Sequence, residues 1–190
     1  MQSKRTLFLI EVAIFTAFAL ALDIIPFLSF KIWAQGGSIS FAMIPIFIVA
    51  FRWGMKGGLL AGFLYGMLQI MIGVAWIIHP AQALLDYPIA FTALGLAGLF
   101  APQAKRSLSF GKTQTFVTWV LAGVSVAIIL RFISHYLAGV IFFSSTIDGL
   151  NIWMYSFVYN GSYLFPSLLI NVLVVSFLFN KRPSLLKTAP

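Results

Sequence analysis

The stretch TFVTWVLAGVSVAIILRFISHYLAGVIFF, at residues 115–143, decides the class of this protein. It is almost wholly apolar, and an apolar run of about 18 or more residues is typical of a helix that crosses a membrane. The rest of the chain is similar: of 190 residues, 61% are hydrophobic and only 8% are charged. An average soluble domain is about 25% charged. A chain this short leaves much of its surface in contact with solvent, so that solvent must be lipid.

Glycine, proline and charged residues divide the chain into six apolar segments. These cover residues 7–27, 39–53, 57–75, 82–101, 115–143 and 152–179. A spanning helix needs about 20 apolar residues, so six spans leave only short loops. We therefore predict an all-α integral membrane protein with six transmembrane helices, forming a single domain over residues 1–190. The second segment is short for a span and contains Pro45, which favours a kinked or tilted helix.

The net charge of +8 is spread over loops and tails. A nucleic-acid-binding protein would cluster its basic residues on one face, so no nucleic-acid partner is predicted. Basic residues in short loops stay preferentially in the cytoplasm. One side of the predicted membrane collects Lys4, Arg5, Arg52, Lys56, Lys105, Arg106, Lys112, Lys181, Arg182 and Lys187. The N and C termini are therefore predicted to be cytoplasmic, with outer loops at about residues 28–38, 76–81 and 144–151.

Two segments carry small residues at a spacing of four, a pattern that lets helix backbones approach closely in lipid. The two stripes are Ala13, Ala17 and Ala21 in the first segment and Gly58, Gly62 and Gly66 in the third. We interpret the glycine stripe as packing within the bundle. The alanine stripe fits either internal packing or a docking surface for another membrane protein.

Ionisable and polar residues inside the predicted spans are costly and mark candidate functional sites. Arg131, His135, Gly139 and Phe143 recur every four residues and form one stripe near the outer end of the fifth segment. Gln82 and Asp86 have the same spacing at the outer start of the fourth segment. Tyr155, Tyr159 and Asn160 lie in the outer half of the sixth segment, and the first outer loop adds Trp33, Gln35, Gly36, Gly37 and Ser38.

These residues share the outer half of the membrane, so we expect them to converge on one site. Their chemistry combines a carboxylate, an imidazole, an amide, phenols and large aromatic faces. A flat heteroaromatic cation gains from aromatic faces by cation–π attraction and from a partly desolvated carboxylate by charge pairing. The predicted ligand is of that kind.

Each candidate also has a purely structural interpretation. Arg131 can pair with Asp86 and hold two helices together. Trp33 can be an anchor at the membrane interface, and Tyr155 and Asn160 can form interhelical hydrogen bonds. Glu11 and Asp23 have no obvious partner in the sequence, which favours a place near an edge or a neighbouring protein.

Enzyme signatures are weak, and we predict no catalytic residue, metal or cofactor. The chain contains no cysteine, which excludes thiol nucleophiles and zinc–thiolate sites. Gly111-Lys112-Thr113 ends like a phosphate-binding loop, but Arg106 replaces the first glycine and no strand precedes it. No second histidine lies at metal-ligand spacing from His135.

Several short motifs, in order, resemble the thiamine-specific S component of the energy-coupling-factor vitamin transporters. They are Gly36-Gly37-Ser38-Ile39-Ser40 with Met43-Ile44-Pro45, Phe51-Arg52-Trp53-Gly54, Gln82 to Pro88, Arg131 to His135 with Gly139 to Phe142, and Tyr155 to Gly161. The resemblance extends from Leu7 to about Phe179. It implies a six-helix bacterial cell-membrane protein that captures thiamine outside the cell with high affinity.

The resemblance also implies roles for individual residues. Trp33, Asp86, His135, Tyr155 and Asn160 match positions that contact thiamine, beneath a roof formed by the first outer loop. Gly139 matches a glycine that gives the ligand room. Three positions depart from the family pattern, which has glutamate at Asp86, lysine-tyrosine at Arg131-Phe132 and tryptophan at Phe143. The charge of the carboxylate, the cation at Arg131 and the stacking face of Phe143 are kept.

S components dock through small residues of the first helix on a module made of a membrane coupling subunit and two ATPase subunits. Ala13, Ala17 and Ala21 match that docking pattern. The resemblance therefore implies a chain that binds thiamine alone but transports it only with the ATP-driven module. An S component for a different vitamin and an intramembrane enzyme are the alternatives. The carboxylate and aromatic residues fit a cation better than an acid such as biotin.

Overall fold

The structure is a computed structural model, and it describes residues 4–33 and 36–188. Gln35, one of the loop residues named above, lies outside the described residues. Six main helices follow one another along the chain: α1 (Lys4–Ile24), α2 (Met43–Trp53), α3 (Met55–Met71), α4 (Pro80–Ser109), α5 (Thr113–Phe142) and α6 (Ile152–Lys181). A short 3-10 turn, Pro183–Leu186, follows α6.

The helix ends follow from local chemistry. Gly54 has a φ of 77°, which glycine adopts without strain, and it turns the chain sharply from α2 into α3. Helix α4 begins with Pro80 in its first turn, and the His79 Nδ1 atom accepts a hydrogen bond from the Ala81 amide. Asn151 caps α6 by accepting a hydrogen bond from the Met154 amide.

Four helices, α1, α4, α5 and α6, are long and apolar enough to cross a membrane. Helix α2 is much shorter, about 16 Å at 1.5 Å per residue, and its residues from Met43 to Phe51 are all buried. Pro45 lies in the first turn of α2, where backbone N–H groups have no partner within the helix, so it requires no kink. Its neighbours therefore shield α2 from lipid.

Helices α3 and α4 pack backbone against backbone along the glycine stripe. A Cβ atom added to Gly58 would lie 2.7 Å from the Gly95 Cα, and one on Gly66 would lie 2.6 Å from the Tyr87 carbonyl oxygen. One on Gly62 would overlap the Phe91 carbonyl. The interpretation of this stripe as internal packing is confirmed.

Helix α4 is not a uniform α-helix. Residues Leu85–Ile89 form a π-helical turn that contains Pro88, and Ala93–Phe100 is 3-10 helix. Proline has no N–H to donate within the helix, and an extra residue in one turn is a common way to accommodate the interruption. The π turn contains Asp86 and Tyr87, so it sets the direction in which both side chains leave the helix.

The first outer loop, predicted at about residues 28–38, contains an antiparallel hairpin. Strand β1 (Ser29–Trp33) pairs with β2 (Gly36–Ser40), with Lys31 opposite Ser38. The hairpin packs against α6, where Gly37 lies so close to Tyr163 that a Cβ atom would be 2.8 Å from its ring. The second apolar segment was therefore predicted to start too early, because Ile39 and Ser40 belong to β2.

Glu11 joins α1 to the end of α2 and has partners within the chain that the sequence did not reveal. Its carboxylate accepts hydrogen bonds from Arg52 at 2.5 and 2.6 Å and from the Trp53 indole at 2.6 Å. Arg52 also donates to the Ser184 and Leu185 carbonyls. One ion pair thus connects α1, α2 and the segment after α6.

Candidate ligand-binding site

A cavity of about 550 Å³ lies between the hairpin and the helices α1, α3, α4, α5 and α6. Pockets of about 300–1,000 Å³ are typical for small organic ligands. Seven of the eight predicted site residues line it: Asp86, Arg131, His135, Gly139, Phe143, Tyr155 and Asn160. The hairpin covers one side with Gly36, Gly37 and Ser38.

Asp86 and His135 form the polar centre of the cavity wall. The Asp86 Oδ1 atom lies 2.8 Å from His135 Nδ1, and Asp86 Oδ2 accepts a hydrogen bond from Gln82 Nε2 at 2.7 Å. Arg131 Nε donates to His135 Nε2 at 3.1 Å. Because Nε2 accepts this bond, we assign the imidazole proton to Nδ1, which donates to Asp86. A neutral imidazole therefore lies between the guanidinium and the carboxylate.

Arg131 is buried and held by α2 and α4. Its Nη1 atom lies 2.8 Å from the Met43 sulfur, and its guanidinium carbon lies 4.2 Å from the centre of the Phe91 ring. In the described chain no ion pair joins Arg131 to Asp86, so the interpretation that these two side chains pair directly is wrong. The Asp86 carboxylate is left with two neutral donors.

Asn160 and Gly139 meet where α5 crosses α6. The Asn160 Nδ2 atom donates to the Ser156 carbonyl at 2.9 Å, and its Oδ1 accepts from the Tyr163 hydroxyl at 2.7 Å. A Cβ atom on Gly139 would overlap the Ser156 side chain. Glycine is therefore required for this close helix approach, and the Asn160 amide is held in one orientation at the cavity wall.

Trp33 does not line the cavity, unlike the other predicted site residues. Its indole N–H donates to Ser162 at 2.9 Å, and its ring lies 5.1 Å from the Tyr159 ring, centre to centre. Tyr159 and Tyr155 do line the cavity, with their rings 5.9 Å apart. In this arrangement Trp33 supports the aromatic wall from behind.

The segment between α3 and α4 is fixed by side chains that also reach the cavity. Gln82 donates to the Trp76 carbonyl and accepts from the Ile78 amide, both at 3.1 Å. The Tyr87 hydroxyl accepts from the Trp76 amide at 2.6 Å. Gln82 therefore connects this segment directly to Asp86.

Asp23 faces the cavity and not an edge of the bundle, which corrects the expectation from the sequence. It lines the wall together with Gln69, whose Nε2 donates to Asp23 Oδ2 at 2.8 Å. Ser29 of the hairpin donates to Asp23 Oδ1 at 3.1 Å. Sequence analysis did not assign Asp23, Gln69 or Tyr163 to the site. Asp23 and Gln69 could have been identified from the sequence, because each is a polar residue near the outer end of an apolar segment.

In chemical terms the cavity is suited to binding rather than to holding a metal. Within residues 4–33 and 36–188 there is no group of three or more His, Asp or Glu side chains that could hold a metal ion. The wall instead combines two carboxylates, one buried guanidinium, a neutral imidazole and several phenol rings. Such a wall can accept hydrogen bonds from a ligand, pair with its positive charge and stack on its rings.

Comparison with known proteins identifies the family. Residues 9–187 match the model of a family described as "Thiamine transporter protein". The chain belongs to this thiamine transporter family. It is 43% identical over 190 residues to the thiamine transporter ThiT of Bacillus subtilis, covering 98% of this chain and 97% of that protein. It is 31% identical to ThiT of Lacticaseibacillus paracasei, covering 97% and 92% of the two chains.

A solved structure of the family agrees with the fold. ThiT from Listeria monocytogenes superimposes with a TM-score of 0.91 at 30% identity, covering 98% of this chain and all of that one. The predictions of a six-helix membrane fold and of a thiamine transporter in a bacterial membrane are confirmed. The relatives are named for transport and not for catalysis, which also confirms that this chain is not an enzyme.

Proposed function

We propose that this protein captures thiamine in the cavity described above, as the substrate-binding subunit of an energy-coupling-factor importer. The observation that carries the proposal is the pair of carboxylates, Asp23 and Asp86, on a cavity wall that also contains several aromatic rings. Thiamine has a permanently cationic thiazolium ring and an aminopyrimidine ring. A partly desolvated carboxylate and aromatic faces favour such a cation.

Asp86 is proposed to accept from the aminopyrimidine or to lie near the ring cation. Asn160 and Tyr155 supply hydrogen bonds around it, and His135, whose two ring nitrogens bond Asp86 and Arg131, holds the Asp86 carboxylate in position. Their present partners support this assignment, because the Asn160 and His135 side chains are already oriented by Tyr163 and Arg131. A ligand that meets preoriented groups loses less conformational entropy on binding.

The remaining predicted site residues are proposed to shape and stiffen the pocket. Phe143 offers a ring for stacking at the end of α5, and Gly139 lets α5 approach Ser156 and Asn160 closely. Arg131 fixes the tautomer and orientation of His135. Trp33, which the sequence analysis assigned to ligand contact, does not line the cavity, and it is proposed to hold the Tyr159 ring in place, with ring centres 5.1 Å apart.

The partner proposed is a module with a membrane coupling subunit and two ATPase subunits, which would drive uptake. Ala13, Ala17 and Ala21 are all exposed on α1, so they form an outward seam of small side chains. Small residues permit the close approach of a neighbouring helix in lipid. The distribution of basic residues supports cytoplasmic N and C termini, in one membrane domain over residues 1–190.

Titration of the purified full-length protein in detergent tests the proposal. Thiamine, riboflavin and biotin are added separately, and binding is followed by tryptophan fluorescence. Saturable binding of thiamine alone, with unchanged thiamine recovered afterwards, is the expected result. Saturable binding of riboflavin or biotin, without thiamine binding, would refute the assignment of the ligand.

A further inference from the structure

We propose that Asp23 and Gln69 form a second polar subsite that binds the hydroxyl end of thiamine and discriminates against its phosphorylated form. The inference rests on the proposed function, because it assumes that thiamine occupies this cavity. It concerns α1 and α3, whereas the group proposed above as the centre of the site, Asp86 with His135, Asn160 and Tyr155, lies on α4, α5 and α6. The two polar regions thus belong to different elements of the cavity wall.

The first observation is an unused acceptor. Gln69 lines the cavity and is 6% exposed, yet its Oε1 atom has no hydrogen-bond partner among the described residues. The orientation of the amide is fixed, because Nε2 donates to the Asp23 carboxylate at 2.8 Å and to the Tyr65 hydroxyl at 2.7 Å. A flipped amide would place an oxygen against a carboxylate. A buried acceptor without a partner costs free energy until a donor arrives.

The second observation is the charge of Asp23. Its two carboxylate oxygens accept from Ser29 and Gln69, which are neutral, and no described cation forms an ion pair with it. A carboxylate has about four acceptor sites, so it retains capacity for a ligand donor. Lys31 also borders the cavity, but it is exposed, and solvent screens its charge more strongly.

Asp23 presents a negative charge and unused acceptor sites to the cavity, and Gln69 Oε1 is an unpaired acceptor buried beside it. The N–H donors of Gln69 are already used, and the Ser29 hydroxyl donates to Asp23. A subsite that offers only hydrogen-bond acceptors can bind a ligand O–H group, which donates to it. It does not match an aminopyrimidine, which presents ring-nitrogen acceptors beside its amino group. The region around Asp86 contains donors as well as acceptors and suits that ring better.

The same subsite disfavours a phosphate ester at the hydroxyl. A phosphate monoester carries roughly −1.5 to −2 charges near neutral pH and has no proton to donate in its dianionic form. Placed beside Asp23, it would meet a like charge and leave Gln69 Oε1 unpaired. Like charges and unpaired polar groups are the usual means by which a binding site rejects a close analogue.

The test uses Asp23→Asn in the full-length protein, with Asp148→Asn as the matched control. Asp148 is exposed and does not line the cavity, so its variant makes the same chemical change elsewhere. Dissociation constants are measured for thiamine, thiamine monophosphate and oxythiamine, in which an oxo group replaces the amino group. Thermal denaturation of each variant shows whether it is folded.

In Asp23→Asn we expect thiamine binding to weaken about tenfold, the scale for a lost hydrogen bond to a charged group. The preference for thiamine over its monophosphate should fall by more than about tenfold, because thiamine binds more weakly and the monophosphate no longer meets a like charge. The preference for thiamine over oxythiamine should stay the same, as should all values for Asp148→Asn. An unchanged monophosphate preference in a folded variant, or a reduced oxythiamine preference instead, would overturn the inference.

Gln69→Met provides a second test if Asp23→Asn does not fold. It removes the unpaired acceptor and keeps a side chain of similar length. The probe is the thiamine analogue with an ethyl in place of the hydroxyethyl group, which the parent should bind more weakly than thiamine. In Gln69→Met that difference should shrink, and a difference of the original size would count against the subsite. A parent protein that binds no thiamine would instead refute the proposed function itself.

Discussion

Replacing Asp86 by asparagine tests the centre of the proposed site. The substitution keeps the size of the side chain and removes its negative charge. In the parent, Oδ1 and Oδ2 accept from His135 and Gln82 at 2.8 and 2.7 Å. An asparagine amide would turn an N–H group toward one of these donors. The variant therefore loses both the charge that attracts the ligand and one well-formed contact.

The size of the effect follows from the environment of the carboxylate. Its side chain is only 15% exposed, so solvent screens the charge weakly. Loss of one partner of a desolvated charged contact costs about 2 kcal/mol or more. We therefore expect the dissociation constant for thiamine to rise at least about thirtyfold. Asp86→Glu, which keeps the charge, should bind more tightly than Asp86→Asn.

Thiamine titration and thermal denaturation are measured on the same preparations. Arg131→Gln is added to Asp86→Asn to test for a purely structural role. Because a neutral His135 separates these two residues, we expect the second substitution not to restore binding. A double variant that regains full binding would show that Asp86 only balances Arg131. A stable Asp86→Asn protein that binds thiamine as tightly as the parent would remove Asp86 from the site.

Three further predictions concern docking, packing and topology. Ala13→Trp should abolish thiamine uptake in cells and leave binding by the isolated protein nearly unchanged; a parallel loss of both would indicate internal packing. Gly62→Ala should lower the free energy of unfolding by about 1–3 kcal/mol through overpacking against α4, whereas Gly161→Ala, which meets no atom within 4 Å, should not. In intact cells, an impermeant thiol reagent should label Asp148→Cys but not Arg106→Cys, and the reverse pattern would invert the topology.

The sequence alone determined the class of the fold and the close helix contact along the glycine stripe. A long apolar run such as residues 115–143 predicts a membrane-spanning helix, because its apolar side chains favour transfer of the segment from water into lipid. The glycine stripe could also be recognised from the sequence, since residues four apart lie on one helix face independently of the tertiary structure. For the same reason Arg131, His135 and Gly139 could be placed on one wall before their neighbours were known.

Only the tertiary structure decided which groups face one another across the bundle. Glu11 meets Arg52, and Asp23 meets Gln69, through contacts between residues far apart in the chain. Such pairings depend on how each helix is rotated and tilted, which local periodicity does not report. The π turn at Leu85–Ile89 adds a further change that the sequence pattern does not show. One extra residue in a turn rotates the side chains that follow it about the helix axis by about 100°.

The sequence analysis also did not predict the hairpin. Its strands are short, and a two-stranded hairpin is only marginally stable alone. It is held by tertiary contacts, among them Gly37 against Tyr163 and the Trp33 indole bonded to Ser162. The sequence thus determined which segments enter lipid and which polar residues share a helix face. The rotation of the helices against one another and the docking of the hairpin determined which of those residues surround a common cavity, because both depend on contacts between distant parts of the chain.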